Sequence, residues 1–527
     1  MDRRTFMQLS AAASLQAAFF AAGGLPRAAF AALPDKEDLA YMPAAEQIKR
    51  FAEGSLSPVD VLKAQIDRIS RYNGPLNTSG QEVPDYKTFN GQVNAITYEH
   101  FEEALKAAKE AEDRYRAGSA RPLEGLTVAV KDENDYRGWR VTMGAIALKD
   151  APPCEEDCPV IDLLRNAGAV FHVQTTVPEY YIHGQTWSRL WGTTRNPWNL
   201  YYAVGGSSGG SGACLAAGFS TLATGSDMGG SIRVPAAMCG VYGFKPPAGR
   251  VPTSAISYET LGPLARSFDD LVMMQNAITG PHPHEHNALR PKLEYPRSYE
   301  GLQGVKIAMD YFDSWLEEGI DPEVRKSMDA TAEVLCSQGA TVDVVKLGWK
   351  SDITKTYIDG LLSTGMGTMF IGKEKDLPGM TTYAAEYVKS IGKRGPSDLD
   401  ATDELAYRLH RQLQEEVYGK GYLTLIMPTL ATPFFPATHD PTTDTVPVNG
   451  KPVRGIRFML TPVWNLLHNY AILNIPAGLA SNNVPMGVQV VGNTYDDLAA
   501  FRVGYAFSQA GPKLYNANSF PDYRNKE

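Results

Sequence analysis

A lysine and two glycine-wrapped serine clusters are the parts of this chain best suited to covalent chemistry. Lys131 closes the apolar run GLTVAVK, where a buried strand should emerge. Ser207 and Ser208 lie in GGSSGGSG, and Ser231 ends the second cluster in GSDMGGSIRVPAA. A serine in that second cluster would have consecutive backbone N–H groups beside it and the start of a helix just after it, which are the parts of an oxyanion hole. A hydroxyl nucleophile, a lysine kept neutral by burial and nearby donors, and such a hole would together make an acyl-transfer site.

Other readings of the glycine–serine run fare worse. A flexible linker should join two domains, yet this run leads straight into Ala/Leu-rich sequence. A phosphate loop needs Lys followed by Ser or Thr after its last glycine, and here Ser211 and Gly212 follow Gly210. A nucleophile elbow, G-x-S-x-G, matches twice, with Ser207 or Ser208 central, and His468 could serve it as base. The elbow requires a buried strand before it, whereas TTRNPWNLYYAV reads as a loop, and no HGGG-type segment precedes it.

Once Lys131, Ser207 and Ser231 are taken in order, with the surrounding GSDMGGSIRVPAAMCGVYGFKPPAGRVP, the chain resembles the amidase signature family of Ser–Ser–Lys hydrolases. TTVPEYY, NPWNL, LIMPT and LNIPAGL…PMGVQVVG resemble family landmarks, so the resemblance runs from about Pro43 to the C-terminal region; LHNYAILNIP departs from the Thr-Gly-x-Pro type of turn in many members. The resemblance implies Ser231 as the acyl-forming nucleophile, Ser207 as the bridging serine and Lys131 as the base. It implies the amides of Met228, Gly229, Gly230 and Ser231 as oxyanion donors, and a cis Gly206–Ser207 peptide. Ser208, Asp227 and Arg233 are supporting residues, the last two fixing the loop through hydrogen bonds. The reaction is then hydrolysis of an amide C–N bond in a small molecule, with no cofactor and no metal. An esterase or carbamate hydrolase would use the same site. A rival of another class is a non-catalytic or amidotransferase-type subunit that needs a partner to deliver ammonia.

The elements that must hold these residues follow from periodicity. Strand patterns (GLTVAVK, GAVFHVQT, GVKIAMDYF, TVDVVKL, YLTLIMP, PMGVQVVG) alternate with helical ones, which predicts an α/β fold; the resemblance makes it a large twisted mixed sheet with helices on both faces. Residues from about Leu39 to Gly118 read as helical, SPVDVLKAQIDRISRYN opening with a Ser cap and a Pro. A variable helical stretch is expected over about 351–419. EYYIHGQTWSRLW, between Lys131 and Ser207, suits core packing or an acyl pocket equally.

Composition bounds the rest. The chain has 527 residues, 43% of them hydrophobic, and a formal net charge of −9, with no long basic run to attract nucleic acid and no apolar stretch long enough to span a membrane. Arg3 and Arg4 before a mildly apolar, Ala-rich stretch, with a small-x-small site near Ala29 to Ala31, resemble a twin-arginine export signal. Residues 1–31 are therefore expected to be a leader and 32–527 the enzyme, periplasmic or secreted; a homodimer is left open. Of the five cysteines, Cys214, Cys239 and Cys336 read as core fillers, while Cys154 and Cys158 suit a disulfide or two free surface thiols. HPHEH, from His282 to His286, reads as a solvated loop rather than a metal site.

Overall fold

The computed structural model describes residues 38–77, 80–83, 91–253, 258–391, 393–516 and 519–525. The leader expected over 1–31 lies outside them. Eleven strands make one sheet: β1 (Ile96–Glu99), β2 (Thr127–Lys131), β3 (Val170–Thr175), β4 (Leu222–Asp227), β5 (Tyr242–Lys245), β6 (Thr260–Ala265), β7 (Lys306–Met309), β8 (Thr341–Val344), β9 (Thr424–Pro428), β10 (Tyr470–Leu479) and β11 (Pro485–Thr494). Their spatial order is β1-β3-β2-β4-β6-β5-β10-β11-β9-β7-β8. β2 runs parallel to β3 and β4, and β7 runs parallel to β8 and β9. All other neighbours are antiparallel. The sheet is mixed and helix-flanked, as expected.

Every residue of β2, β3, β4 and β6 is buried, because both faces of the sheet are covered. Successive side chains serve different cores. Val128 and Val130 pack with the helices Pro159–Ala167 and Phe268–Ile278, whereas Ala129 packs with the helices Gly209–Ala216 and Arg233–Cys239. The second face is built from small residues, Ala129 and Ala223 among them, so the glycine-rich helix can lie close to the sheet. Gly210 shows how close: a Cβ there would stand 2.5 Å from the Thr176 backbone N and 2.6 Å from its O. The GGSSGGSG run is therefore a buried, close-packed turn into a helix, not a linker.

Several expectations need correction. β1 interrupts the N-terminal region read as helical and pairs with β3. β5, β6 and β10 escape the period-two reading; Gly262, Pro263, Pro476 and Gly478, residues that ordinarily mark turns, sit inside two of them. The segment before the glycine run holds a strand after all, Asn199–Ala203. It pairs with Arg195–Asn196 and makes single bridges to Arg524 and Pro436, all outside the central sheet, so the elbow geometry is still not met. Cys336 is exposed on a helix whose buried residues are Val324, Ser327, Met328, Thr331 and Leu335, and Cys154 and Cys158 are both free thiols. His282 is buried and lies 3.1 Å from Asp162 Oδ2, so HPHEH is anchored rather than wholly solvated. The 351–419 stretch contains the helices Asp352–Leu362, Thr382–Ser390 and Pro396–Glu416, which bury Tyr357, Tyr383 and Leu409 in a core shared with Trp315 and Trp464.

The packing separates two glycines. Gly210→Ala must push the helix off the backbone of Thr176 and should destabilise the protein by about 1–3 kcal/mol. Gly229→Ala meets nothing within 4 Å and should leave the thermal midpoint unchanged. Thermal unfolding of both purified variants checks this.

Candidate active site

Because β2 and β4 run parallel and adjacent, their C-terminal ends emerge together. Ligand sites of open α/β sheets form at such strand ends. Lys131, the last residue of β2, is fully buried. Its Nζ lies 2.8 Å from Ser207 Oγ, 2.8 Å from Ser226 Oγ and 3.0 Å from Glu133 Oε2. Its backbone N–H donates to Thr224 Oγ1 at 2.9 Å, which ties the two strands at that point. The Gly206–Ser207 peptide is cis. Ser208 starts the helix Gly209–Ala216; its hydroxyl accepts from Ser226 N and donates to Ser226 O, so it braces β4 and is not offered to a ligand.

Ser226, Glu133 and Glu259 were not singled out by sequence reasoning. Ser226 stands directly before Asp227 in GSDMGGS, and Glu133 belongs to the DEND that follows Lys131, so proximity to the motifs was the available signal. Burial, reinforced by the facing Glu133 carboxylate, pushes the Glu259 acid up to about 8, against the pull of Lys131 and a hydrogen bond from Ser226. Two carboxyl groups therefore face one lysine inside the fold.

Asp227 and Arg233 fix the loop between them. Both are fully buried, and Arg233 Nη2 and Nε meet Asp227 Oδ1 and Oδ2 at 2.8 and 2.9 Å. Asp227 also accepts from the backbone N–H groups of Gly230, Ile232 and Arg233. Burial works against its charge, yet the Arg233 guanidinium and Asn465 hold its pKa down at about 2. One expectation is corrected here. The Gly230 N–H is committed to Asp227 at 2.8 Å, whereas those of Met228, Gly229 and Ser231 have no hydrogen-bond partner among the described residues. Gly230 is needed for another reason: its φ is +118°, and a Cβ would stand 2.1 Å from Thr461 Oγ1.

Ser231, half-exposed, opens with Gly229, Met228 and Gly206 onto an open-mouthed chamber. Tyr181, Ile182 and His183, from the aromatic segment between Lys131 and Ser207, form one wall, and the helix Asp352–Leu362 contributes Tyr357, Ile358 and Leu361 to another. Among the described residues, no Asp, Glu, Lys or Arg lines it. Burial and the neighbouring His439 lower His183 to about 3, so this histidine is uncharged. His468 is not part of the lining; it packs edge-on against Tyr258.

Comparison with known proteins places this geometry. The family model "Amidase" matches residues 83–500. A glutamyl-tRNA(Gln) amidotransferase subunit from Carboxydothermus hydrogenoformans is 30% identical over 525 residues, spanning 90% of this chain and 100% of that protein. Among solved structures, a bacterial aryl acylamidase of the amidase signature enzymes superposes with a TM-score of 0.78 at 25% identity, over 90% of this chain and 96% of that one. The fold is also that of 6-aminohexanoate cyclic dimer hydrolase, with a TM-score of 0.75 at 22% identity over 92% of this chain and 100% of that one. A buried lysine bonded to a serine in a glycine–serine turn, beside a loop with free N–H groups, is the machinery of a Ser–Ser–Lys hydrolase acting on amides, and the chain belongs to the amidase signature family.

Proposed function

We propose that Ser231 is the nucleophile of a partner-independent amidase, with Ser207 as proton bridge and Lys131 as base. The observation that carries this reading is the 2.8 Å contact between Lys131 Nζ and Ser207 Oγ beside the chamber that Ser231 lines. In acylation, Ser231 Oγ attacks the amide carbon as its proton passes to Ser207, whose own proton passes to Lys131. The carbonyl electron pair moves onto the oxygen, held by free N–H groups of the 228–231 loop. Collapse expels the amine, which takes its proton back along Lys131 and Ser207. Water then hydrolyses the acyl-enzyme by the same relay in reverse.

The chamber supports an uncharged substrate with an apolar or aromatic acyl group, since it presents aromatic, aliphatic and thioether surface and no charge partner. The aryl acylamidase among the similar structures accords with that class. The amidotransferase relatives favour a second reading, a chain that works only with a partner. Hydrolysis of a simple aryl amide by the purified chain alone decides for the first, and absence of hydrolysis decides for the second. The double arginine at Arg3 and Arg4 supports export of the enzyme as residues 32–527. Among the described residues, no helix is long and apolar enough to cross a membrane.

Ser231→Ala should abolish both turnover and labelling by a fluorophosphonate. Ser207→Ala and Lys131→Ala should each lower kcat by about 10⁴-fold or more, and the double variant should be scarcely worse than the weaker single one, because the residues act as a unit. Retained activity in Ser231→Ala with loss in Ser208→Ala would instead indicate the elbow.

Activity should rise toward alkaline pH, as the relay must release a proton before it can accept one from serine. Burial and the facing Glu133 carboxylate raise Glu259 to about 8, so it gains negative charge beside the relay over the same pH range. The rise should therefore be shallower than a single ionisation, and Glu259→Gln should steepen it in kcat/KM profiles.

Replacing Arg3 and Arg4 with lysine should strand unprocessed protein in the cytoplasm, which fractionation and N-terminal sequencing would show.

A further inference from the structure

The backbone of the loop that carries Ser231 can be accounted for peptide by peptide. The Asp227 carbonyl accepts from Asn465 Nδ2 at 2.9 Å, and the Met228 carbonyl accepts from the Tyr357 hydroxyl. The Gly229 carbonyl accepts from Thr461 Oγ1 at 2.6 Å, the Gly230 carbonyl from Val234 N at 2.7 Å, and the Ser231 carbonyl from Ser208 N at 3.1 Å. In a trans peptide the C=O and the next N–H point opposite ways. Each anchored carbonyl therefore aims the N–H that follows it. The Met228 carbonyl, turned toward Tyr357, aims the Gly229 N–H away from Tyr357.

The Met228–Gly229 peptide differs from the one that follows it. The Gly230 N–H is held by Asp227 as well as by the anchoring of its peptide's carbonyl to Thr461, so its peptide is fixed at both ends. The Met228–Gly229 peptide is held at its carbonyl alone, by one hydroxyl. Gly229 has no side chain to resist rotation and open space where a Cβ would be. If the carbonyl were released, the peptide could turn over and present an oxygen where a donor is needed. A carbonyl dipole facing the developing oxyanion would repel it.

We propose that Tyr357 is a positioning residue for amide hydrolysis, its hydroxyl holding the Met228 carbonyl so that the Gly229 N–H faces the oxyanion. The proposal rests on the reading of Ser231 as nucleophile. Tyr357 lies on the helix Asp352–Leu362, is fully buried, and also lines the chamber. Burial, with Asp227 and Tyr258 nearby, raises its phenol well above 10, so it stays an O–H donor at working pH. The same side chain thus joins the helical stretch that shapes the acyl chamber to the loop that stabilises the transition state.

The test is Tyr357→Phe, which keeps the ring and removes the hydroxyl, read against Leu361→Ala, which changes only the chamber wall on the same helix. With an aryl amide substrate, Tyr357→Phe should lower kcat by about 10²-fold, the usual cost of one oxyanion donor, with KM within about twofold of wild type. Affinity for a trifluoromethyl ketone, which forms a tetrahedral adduct, should fall by the same factor as kcat/KM, while affinity for the parent methyl ketone holds. Leu361→Ala should instead raise KM and weaken both ketones together. A Tyr357→Phe enzyme that behaves like Leu361→Ala, or whose kcat and trifluoromethyl ketone affinity match wild type, overturns the proposal. Should that variant not accumulate as folded protein, Tyr357→Met, which also lacks a donor, is read by the ratio of trifluoromethyl ketone to methyl ketone affinity, which should fall as above and overturns the proposal if it matches wild type. Failure of the underlying reading is seen separately, as turnover and fluorophosphonate labelling that survive in Ser231→Ala.

Discussion

The buried pair Asp227–Arg233 is the constraint on which the site depends. A carboxylate and a guanidinium with no access to water are costly unless each is fully hydrogen-bonded. Here Asp227 takes three backbone N–H groups and both arms of Arg233, while Arg233 also reaches the Thr461 carbonyl, Gln489 and Asn465. The pair therefore draws β4, the Ser231 loop, the segment around Thr461 and β11 to one point. Satisfying the charges and shaping the loop are the same requirement, because the N–H groups that Asp227 consumes decide which are left for a substrate.

The relay sits where a second electrostatic balance is struck. Lys131 is fully buried on β2, with Glu133 Oε2 3.0 Å from its Nζ and Glu259 nearby. Neutral Glu259 and hydroxyl contacts from Ser207 and Ser226 temper the negative field. The strands supply position and the carboxyl groups supply tuning, and the two come from different parts of the chain.

The chamber is assembled from segments far apart in sequence, the aromatic run near Tyr181 and the helix near Tyr357 among them. Its walls share the core that contains Trp315, Trp349 and Trp464. Loop and helix residues from distant parts of the chain thus close together on the space that Ser231 lines.

Much of the chemistry was legible in the sequence. The chain contains its lysine, its two serine clusters and its alternating strands as local patterns. What lay beyond local pattern was pairing. β6 and β10 carry Gly262, Pro263, Pro476 and Gly478 yet are strands, because neighbours on both sides supply the hydrogen bonds that propensity would have denied them. Gly230 looked like an oxyanion donor until Asp227 took its N–H, and Ser226, Tyr357 and Thr461 gained their places only when separate elements met. Sequence determined which groups exist and which could react. Tertiary structure decided which of them remain unpaired, because hydrogen bonds between distant residues are settled only when the sheet and its loops close.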